Sequence, residues 1–516
     1  MPAVRRGGGR LLAAGVTAFA VALASYLAYL ASHRAAWTVH EVDLHVYVAG
    51  GLIARHVRPF YDPRAAAPLY GWTDPGLGLK FTYPPFAAVV FAAVSLIPGG
   101  TPRIPAGPLA QISVAGNFVL LLAALWFTFG GLGCRGRRAR AGATLLAGAA
   151  AVWTEPFLRT VYLGQVNVAL MALIMWDLTQ PGTPASRWWK GAGVGVAAGI
   201  KLVPLIFIPY LLLTRRFRQA AVAAAAFAAT VAVGFVFLPA DSARWWLHGL
   251  FIQGGRTGFV GWEGNQSLLG IITRLAGSVT AAQPVWLLAA LATAALGLAA
   301  AAVLARAGHE VPGIVTCALT GLLVSPVSWD HHWVWIAPGM AAAAYYAVRA
   351  MRARPAGPGE PDGPGGPGGP WWRAAVRWPA AGFWALAGGM LALYGAWPGR
   401  LWGEPDDLGH FSLGLIWAPP NTNPVYYFAH GDRPWFYEYH WHGLQLLAGN
   451  SYVLGGCALL ATMVVLAARQ LPAGPRPRWA RAPAESPMDT QAAAPPGVAR
   501  AGGPVSRGPA APPSPR

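Results

Sequence analysis

The sequence predicts an all-α polytopic membrane protein, a helical bundle with about ten to thirteen membrane segments. Three observations predict it. The chain of 516 residues is 55% hydrophobic and only 11% charged, with a mean hydropathy of +0.42, which is a membrane composition. Apolar runs recur at Leu11 to Ala31, Leu109 to Phe129, Ala220 to Leu238, Pro284 to Leu304, Ala380 to Leu393 and Tyr452 to Ala468, each approaching the roughly 20 residues needed to cross a bilayer. Arginines gather between these runs in clusters, the pattern that fixes sidedness in membrane proteins.

The first run follows Arg5, Arg6 and Arg10 and has no clear small-residue cleavage site before Trp37-Thr-Val-His40, so it is read as a retained anchor. Positive clusters stay cytoplasmic. They are Arg5 to Arg10, Arg135 to Arg140, Arg215 to Arg218, Arg349 to Arg354 with Arg373 and Arg377, and the tail from Arg469 to Arg516. Both termini are therefore expected in the cytoplasm of a multi-pass plasma-membrane protein. The outer loops are then Ser32 to Tyr83, Thr154 to Gln165, the turn near Lys201, Ala240 to Ser267, Ser325 to His332, and Pro398 to Asn450.

Two places strain this layout. Gly191 to Thr214 offers one span's worth of residues between two cytoplasmic flanks, so two half-helices are expected to meet at Gly199-Ile-Lys201-Leu-Val-Pro204, a break that is tolerated where backbone lines a protein cavity. Pro84 to Pro98 is also short for a span, so the Arg135 cluster stays inside only where this segment is re-entrant or another segment crosses nearby. Residues 1–354 make up the transmembrane catalytic region and residues 355–370 a Pro/Gly-rich cytoplasmic linker. Residues 371–470 hold the last two spans with the large outer loop 398–450, and residues 471–516 form a disordered basic tail near anionic lipid.

Composition also excludes function classes. Cys134, Cys317 and Cys457 are far apart and give neither a disulfide framework nor a zinc spacing. The formal charge of +19, from 38 basic and 19 acidic residues, follows from membrane sidedness, so nucleic acid is not an expected partner. No cofactor is expected. Asp43 with Asp62 is the one carboxylate pair arguable as a metal site, and no metal is assigned.

Acids are scarce, so Asp43, at the end of the first span in Glu41-Val-Asp43-Leu-His45-Val-Tyr47, suits a general base that takes a proton from an acceptor hydroxyl. Gly164-Gln165-Val-Asn167 and Gly264-Asn265-Gln266-Ser267 each precede an apolar run. Such residues cap helices, and on one face their carboxamides also supply paired donors and acceptors for sugar hydroxyls without adding charge. Lys201, deep in apolar sequence with no adjacent acid, calls for an anionic partner such as a phosphate, and Arg159, Arg256 and Arg274 are further outer-face cations. In Ser325-Pro326-Val-Ser328-Trp329-Asp330-His331-His332-Trp333 the adjacent histidines do not share a helix face, so one is expected to contact ligand and the other to cap or stack. Substrate- and donor-binding candidates are thus His45, Tyr83, Gln165, Asn167, Lys201, Arg256, Asn265, Gln266, His331 and His332.

Seven segments in order resemble the polyprenol-phosphate-mannose-dependent mannosyltransferases of glycosyltransferase family 87, within the GT-C superfamily. They are Asp43-Leu-His-Val-Tyr47-Val-Ala, Tyr61-Asp62, Phe81-Thr-Tyr83-Pro84-Pro85, Gly164-Gln165-Val-Asn167, Ile200-Lys201-Leu-Val-Pro204, Asn265-Gln266-Ser267-Leu268, and Ser325-Pro326-Val-Ser328-Trp329 with His331-His332-Trp333. The resemblance implies a GT-C type helical bundle with a catalytic first outer loop, in which Asp43 is the catalytic acid. It also implies transfer of mannose from a polyprenyl-phosphate-linked donor to a phosphatidylinositol mannoside or related actinobacterial glycolipid, with inversion and an α-1,2 link, among membrane lipids on the extracytoplasmic side.

The competing expectations are a transporter of an anionic lipid or sugar phosphate and a non-catalytic envelope scaffold. No inverted repeat is evident, and the polar residues gather on one face. In loop 398–450, Asp406, Asp407, His410, Tyr426, Tyr427, Asp432, Tyr437, Glu438, His440 and His442 are expected to shape acceptor choice.

Overall fold

The computed structural model describes residues 2–32, 42–56, 68–74, 78–97, 107–180, 188–253, 256–352, 380–397, 414–422 and 436–470. The linker 355–370, the tail 471–516, and Glu41, Tyr61, Asp62, Asp406, Asp407, His410, Tyr426, Tyr427 and Asp432 lie outside the described residues.

The described chain is built from helices. Among the described residues, backbone pairing of strand type is confined to the isolated bridges Thr73 with Lys80, Thr154 with Gly395 and Asn265 with Trp329. In order, the principal helices are α1 (Pro2–Ser32), α2 (Val42–Ala54), α3 (Pro85–Val94), α4 (Pro108–Gly131), α5 (Arg137–Val152), α6 (Glu155–Leu163), α7 (Asn167–Thr179) and α8 (Ala192–Ile200). They continue with α9 (Phe207–Leu213), α10 (Phe217–Phe237), α11 (Leu268–Ala276), α12 (Val279–Arg306), α13 (Glu310–Val324), α14 (Ile336–Arg352), α15 (Ala380–Tyr394) and α16 (Ser451–Ala468). Prolines open α3 and α4, where the missing N–H has no intrahelical partner to lose. Ser267 and Ser278 cap α11 and α12 through their side chains, each satisfying one orphan N–H.

By length and apolarity, Gly7–Tyr29, Pro108–Gly131, Phe217–Phe237, Val279–Arg306 and Ser451–Ala468 can each cross a membrane. The pair α6 and α7 passes the same test jointly, although it is bent by 116°. Val42–Ala54, Pro85–Val94, Val203–Leu213, Glu310–Val324 and Ala380–Tyr394 are apolar but shorter. The long helices leave Val21, Val119, Val236, Leu288 and Leu291 exposed, side chains that water would disfavour and acyl chains accept. The protein is therefore an all-α polytopic membrane protein.

Helix α1 packs on α5, α4 on α7, α8 on α10, and α12 on α13. The C-terminal α15 and α16 close against α14 and against α12 and α13 respectively.

The chain departs from the expected outer loops at Thr154 to Gln165. This stretch is the helix α6, with every residue buried. Gly164, left-handed at φ 67 and ψ 36, ends it and permits the sharp turn into α7, because a side chain at that position would be strained. Within Gly191 to Thr214, α8 ends at Ile200. Lys201 is extended (φ −146, ψ 132) and a 3₁₀ turn begins at Val203, so two short helical pieces flank the lysine. A second 3₁₀ turn, Asp330–Trp335, joins α13 to α14 and packs against α6 and α7.

Candidate active site

Asp43 lies in the first turn of α2. Tyr47 is one helical turn further, on the same face. The Tyr47 hydroxyl is 2.9 Å from that of Tyr83 and donates to Gln165 Oε1 at 2.8 Å, while Tyr83 reaches the same oxygen at 3.4 Å. Both hydroxyls address the amide oxygen, so the Gln165 amide NH₂ is the group left to donate to Asp43, with which Gln165 is hydrogen-bonded. Burial raises the Asp43 carboxyl above the ordinary carboxylate range, against the opposing influence of His331, Gln165, Lys201 and Arg159.

Opposite stands Lys201, placed by the break between α8 and the 3₁₀ turn. Its Nζ donates to Asn167 Oδ1 at 2.9 Å, lies 2.7 Å from His332 Nε2, and sits 5.7 Å above the Tyr83 ring. Burial pushes this ammonium down to about 7, with Asp43 drawing it back up. Burial, then Lys201 and His331, hold His332 well below the usual imidazole range. His332 is therefore neutral and accepts through Nε2.

Asn167 begins α7 without capping it. Its Oδ1 takes Lys201, and its Nδ2 donates to the His331 carbonyl at 3.1 Å, which Thr160 also reaches at 3.2 Å. His331 Nδ1 is 3.1 Å from Asp330 Oδ1, and its buried Nε2 has no hydrogen-bond partner. Arg159 Nε lies 3.3 Å from Asp330 Oδ2, an ion pair that misses hydrogen-bond alignment. Burial would raise the Asp330 carboxyl, but His331 and Arg159 together hold it below its ordinary value.

The other candidates lie around this centre. His45, between the charges of Asp74 and Asp43, is lowered by burial, and its Nε2 has no hydrogen-bond partner. Half-buried Arg256 sits over the Tyr70 ring and donates to the carbonyls of Tyr70 and Phe81 at 3.4 Å, behind the strand of chain that carries Tyr83. Asn265 joins Val260, Pro326 and Ser328, and Gln266 joins Glu263, Gly449 and Val453. The Asn265 carboxamide therefore braces the segment leading to the histidines, while that of Gln266 ties its own loop to the chain entering α16. Arg274 is enclosed, donating to Asn450 and to the carbonyls of Gly261, Trp262 and Asn265.

The structure thus brings Asp43, Tyr83, Gln165, Asn167, Lys201, His331 and His332 into one buried polar cluster. Sequence reasoning gave no role to Glu155, Thr160 or Asp330. A charged pair four residues apart, Glu155 and Arg159, in an otherwise apolar stretch was the signal available.

Residues 81–326 match the model of Glycosyltransferase family 87. A polyprenol-phosphate-mannose-dependent alpha-(1-2)-phosphatidylinositol pentamannoside mannosyltransferase of Mycolicibacterium smegmatis is 35% identical over 326 residues, which is 62% of this chain and 74% of that one. The chain belongs to glycosyltransferase family 87. A protein of the same description from Mycobacterium tuberculosis is 36% identical over 314 residues, 60% of this chain and 68% of its own. A phosphatidylinositol mannoside mannosyltransferase of that species is 34% identical over 330 residues, covering 61% and 72%. No solved structure matches with significance. In this family 87 glycosyltransferase Asp43 precedes the matched segment and His331 and His332 follow it. The fold carries them to the matched Gln165, Asn167 and Lys201.

Proposed function

We propose that this glycosyltransferase moves mannose from polyprenyl-phosphomannose to a hydroxyl of a phosphatidylinositol mannoside-like glycolipid, inverting the anomeric carbon and forming an α-1,2 link. The observation that carries the reading is the convergence of the Asp43 carboxyl with the ammonium of Lys201 and two histidines in a buried polar cluster. The names of the mycobacterial relatives support the donor, the linkage and the acceptor class. The cluster faces the extracytoplasmic side of the plasma membrane and both termini are cytoplasmic. That reading is supported by the arginine clusters between the apolar runs.

Asp43 takes the proton of the acceptor hydroxyl, whose oxygen attacks the anomeric carbon. The bond from that carbon to the phosphate oxygen breaks, and the lipid phosphate leaves with the electron pair. A carboxyl raised by burial is a better base than one in water. Gln165 orients it, and Lys201 stabilises the charge gathering on the phosphate. His331 and His332 line the path between them, Tyr83 walls the lysine, and His45 borders the acceptor side. Arg256, Asn265 and Gln266 serve the donor site through the chain segments they brace.

A transfer assay with purified protein tests this, using a panel of polyprenyl-phosphate sugars and lipid acceptors with linkage analysis of the product. The expected outcome is mannose transferred from polyprenyl-phosphomannose into an α-1,2 link on a phosphatidylinositol mannoside. Transfer of another sugar with mannose refused, or a different linkage, overturns the reading.

A further inference from the structure

Against the turn that carries His331 and His332 lies a cavity that the transfer reaction does not use. It runs between α13, α14, α15 and α16 and occupies about 840 Å³, counted to its open edge. Trp333, Trp335 and Ile336 line it at the histidine turn, and Tyr346 and His309 line it further along. Tyr346 follows Ile336 by ten residues in α14, so the lining extends for about 15 Å. That is about the hydrocarbon depth of one leaflet.

The walls of this slot are apolar. The Thr316 hydroxyl donates to the Pro312 carbonyl of its own helix at 2.7 Å, and His309 Nδ1 lies 3.1 Å from the Tyr346 hydroxyl, so the polar side chains on the wall find partners there. Pro312, Val315, Gly339, Leu386, Leu459 and Met463 line the slot and are only half-buried. This is apolar surface that the described residues leave uncovered. A void of that kind excludes water and takes an apolar guest.

The two ends differ. The histidine end is closed by Trp333, which is 1% exposed and stacked on Tyr394 at 5.5 Å. At the other end α14 finishes with Arg349 and Arg352 and α12 with Arg306, just beyond the lining residues Tyr346 and Leu304. Glu310, the acid beside His309, is already held by a forked bond from the Arg216 guanidinium. This end is therefore cationic and suits a phosphate.

We propose that the slot is a binding site for one acyl chain of an anionic membrane phospholipid, inserted from the arginine end with its phosphate among Arg306, Arg349 and Arg352. The headgroup of this guest and the Asp43 cluster lie at opposite ends of the slot. The guest is thus neither donor nor acceptor, and its binding does not depend on which sugar the protein transfers.

The test uses the full-length protein in phosphatidylethanolamine vesicles containing phosphatidylglycerol with a photoreactive diazirine on one acyl chain, and maps the cross-linked residues by mass spectrometry. The expected result is label on Leu386, Met390 and Met463 in the slot, besides label on Leu288 and Leu291, which are exposed on α12. Gly339→Phe fills the slot, because a β-carbon there meets Met390 Sδ at 3.5 Å and Val315 Cγ1 at 3.6 Å, both ordinary contacts. It should lower the slot label by about tenfold or more and leave the α12 label unchanged. Ala343→Leu, a smaller intrusion from the same helix, covers the case in which Gly339→Phe does not fold. A phosphatidylcholine probe with the same chain should label the slot about fivefold less. Slot residues that stay unlabelled while α12 is labelled, or that are labelled as before in the folded filled variants, overturn the proposal. Equal labelling by the phosphatidylcholine probe overturns it too, as does stronger slot labelling by a polyprenyl phosphate carrying the diazirine.

Discussion

Lys201 Nζ lies 2.7 Å from His332 Nε2, so at most one of the two groups carries a charge in the free protein. With burial holding the imidazole neutral and the ammonium down to about 7, the lysine is a cation poised to lose its proton near neutrality. An incoming phosphate favours the charged form.

The first prediction is an alkaline limb in the free-enzyme rate. As pH rises through about 7 the ammonium is lost, and kcat/KM falls. The limb in kcat lies at higher pH, since bound donor phosphate keeps the lysine charged. Lys201→Arg, charged throughout, should lack this limb, and Lys201→Met should lose about a hundredfold or more. Stability runs the other way. Between about 7 and the unperturbed 10.5 the unfolded chain binds a proton that the native one does not, so thermal stability rises with pH across that window. Flat profiles in both measurements would falsify this role.

Asn167 offers the second prediction. Its Oδ1 accepts from Lys201, so Asn167→Asp places a carboxylate beside the ammonium. The alkaline limb of kcat/KM should move up by about one pH unit or more. A limb that stays where it is would show that another group titrates there.

Much of this cluster was legible in the chain. Gly199-Ile-Lys201-Leu-Val-Pro204 announces a broken helix around a cation, because glycine, proline and an unpaired lysine are all out of place inside a continuous span. Scarcity of acids drew attention to Asp43. The helix α6 was not legible. Its glutamate and arginine read as loop residues, and the groups that make them tolerable in the interior are remote: Trp417 is 262 residues from Glu155 and Tyr452 is 297. The same distance problem hid the structural use of Asn265 and Gln266, whose bonding to Pro326, Ser328, Gly449 and Val453 belongs to tertiary structure. Ser267, by contrast, reads locally as a helix cap and is one, accepting from the Gly270 N–H at 3.0 Å.

Arg274 gives the third prediction. It is 2% exposed and bonds to Asn450 and three carbonyls. Burial lowers it to about 10, with Glu438 and Glu263 opposing, so it stays charged. Arg274→Met leaves several buried acceptors unsatisfied, and a loss of about 2–4 kcal/mol is expected. Thermal unfolding in detergent should show a midpoint lower by several degrees. An unshifted midpoint would mean that the enclosed guanidinium contributes nothing net.

The central claim is that Asp43 removes the acceptor proton. Asp43→Asn keeps the size of the side chain and a hydrogen bond to Gln165 while removing the base. The most direct measurement is the single-turnover rate of mannose transfer from polyprenyl-phosphomannose by this variant, with donor binding measured alongside. The account predicts a rate lower by about a hundredfold to ten-thousandfold with donor affinity nearly unchanged. A variant that transfers mannose at the wild-type rate would contradict it.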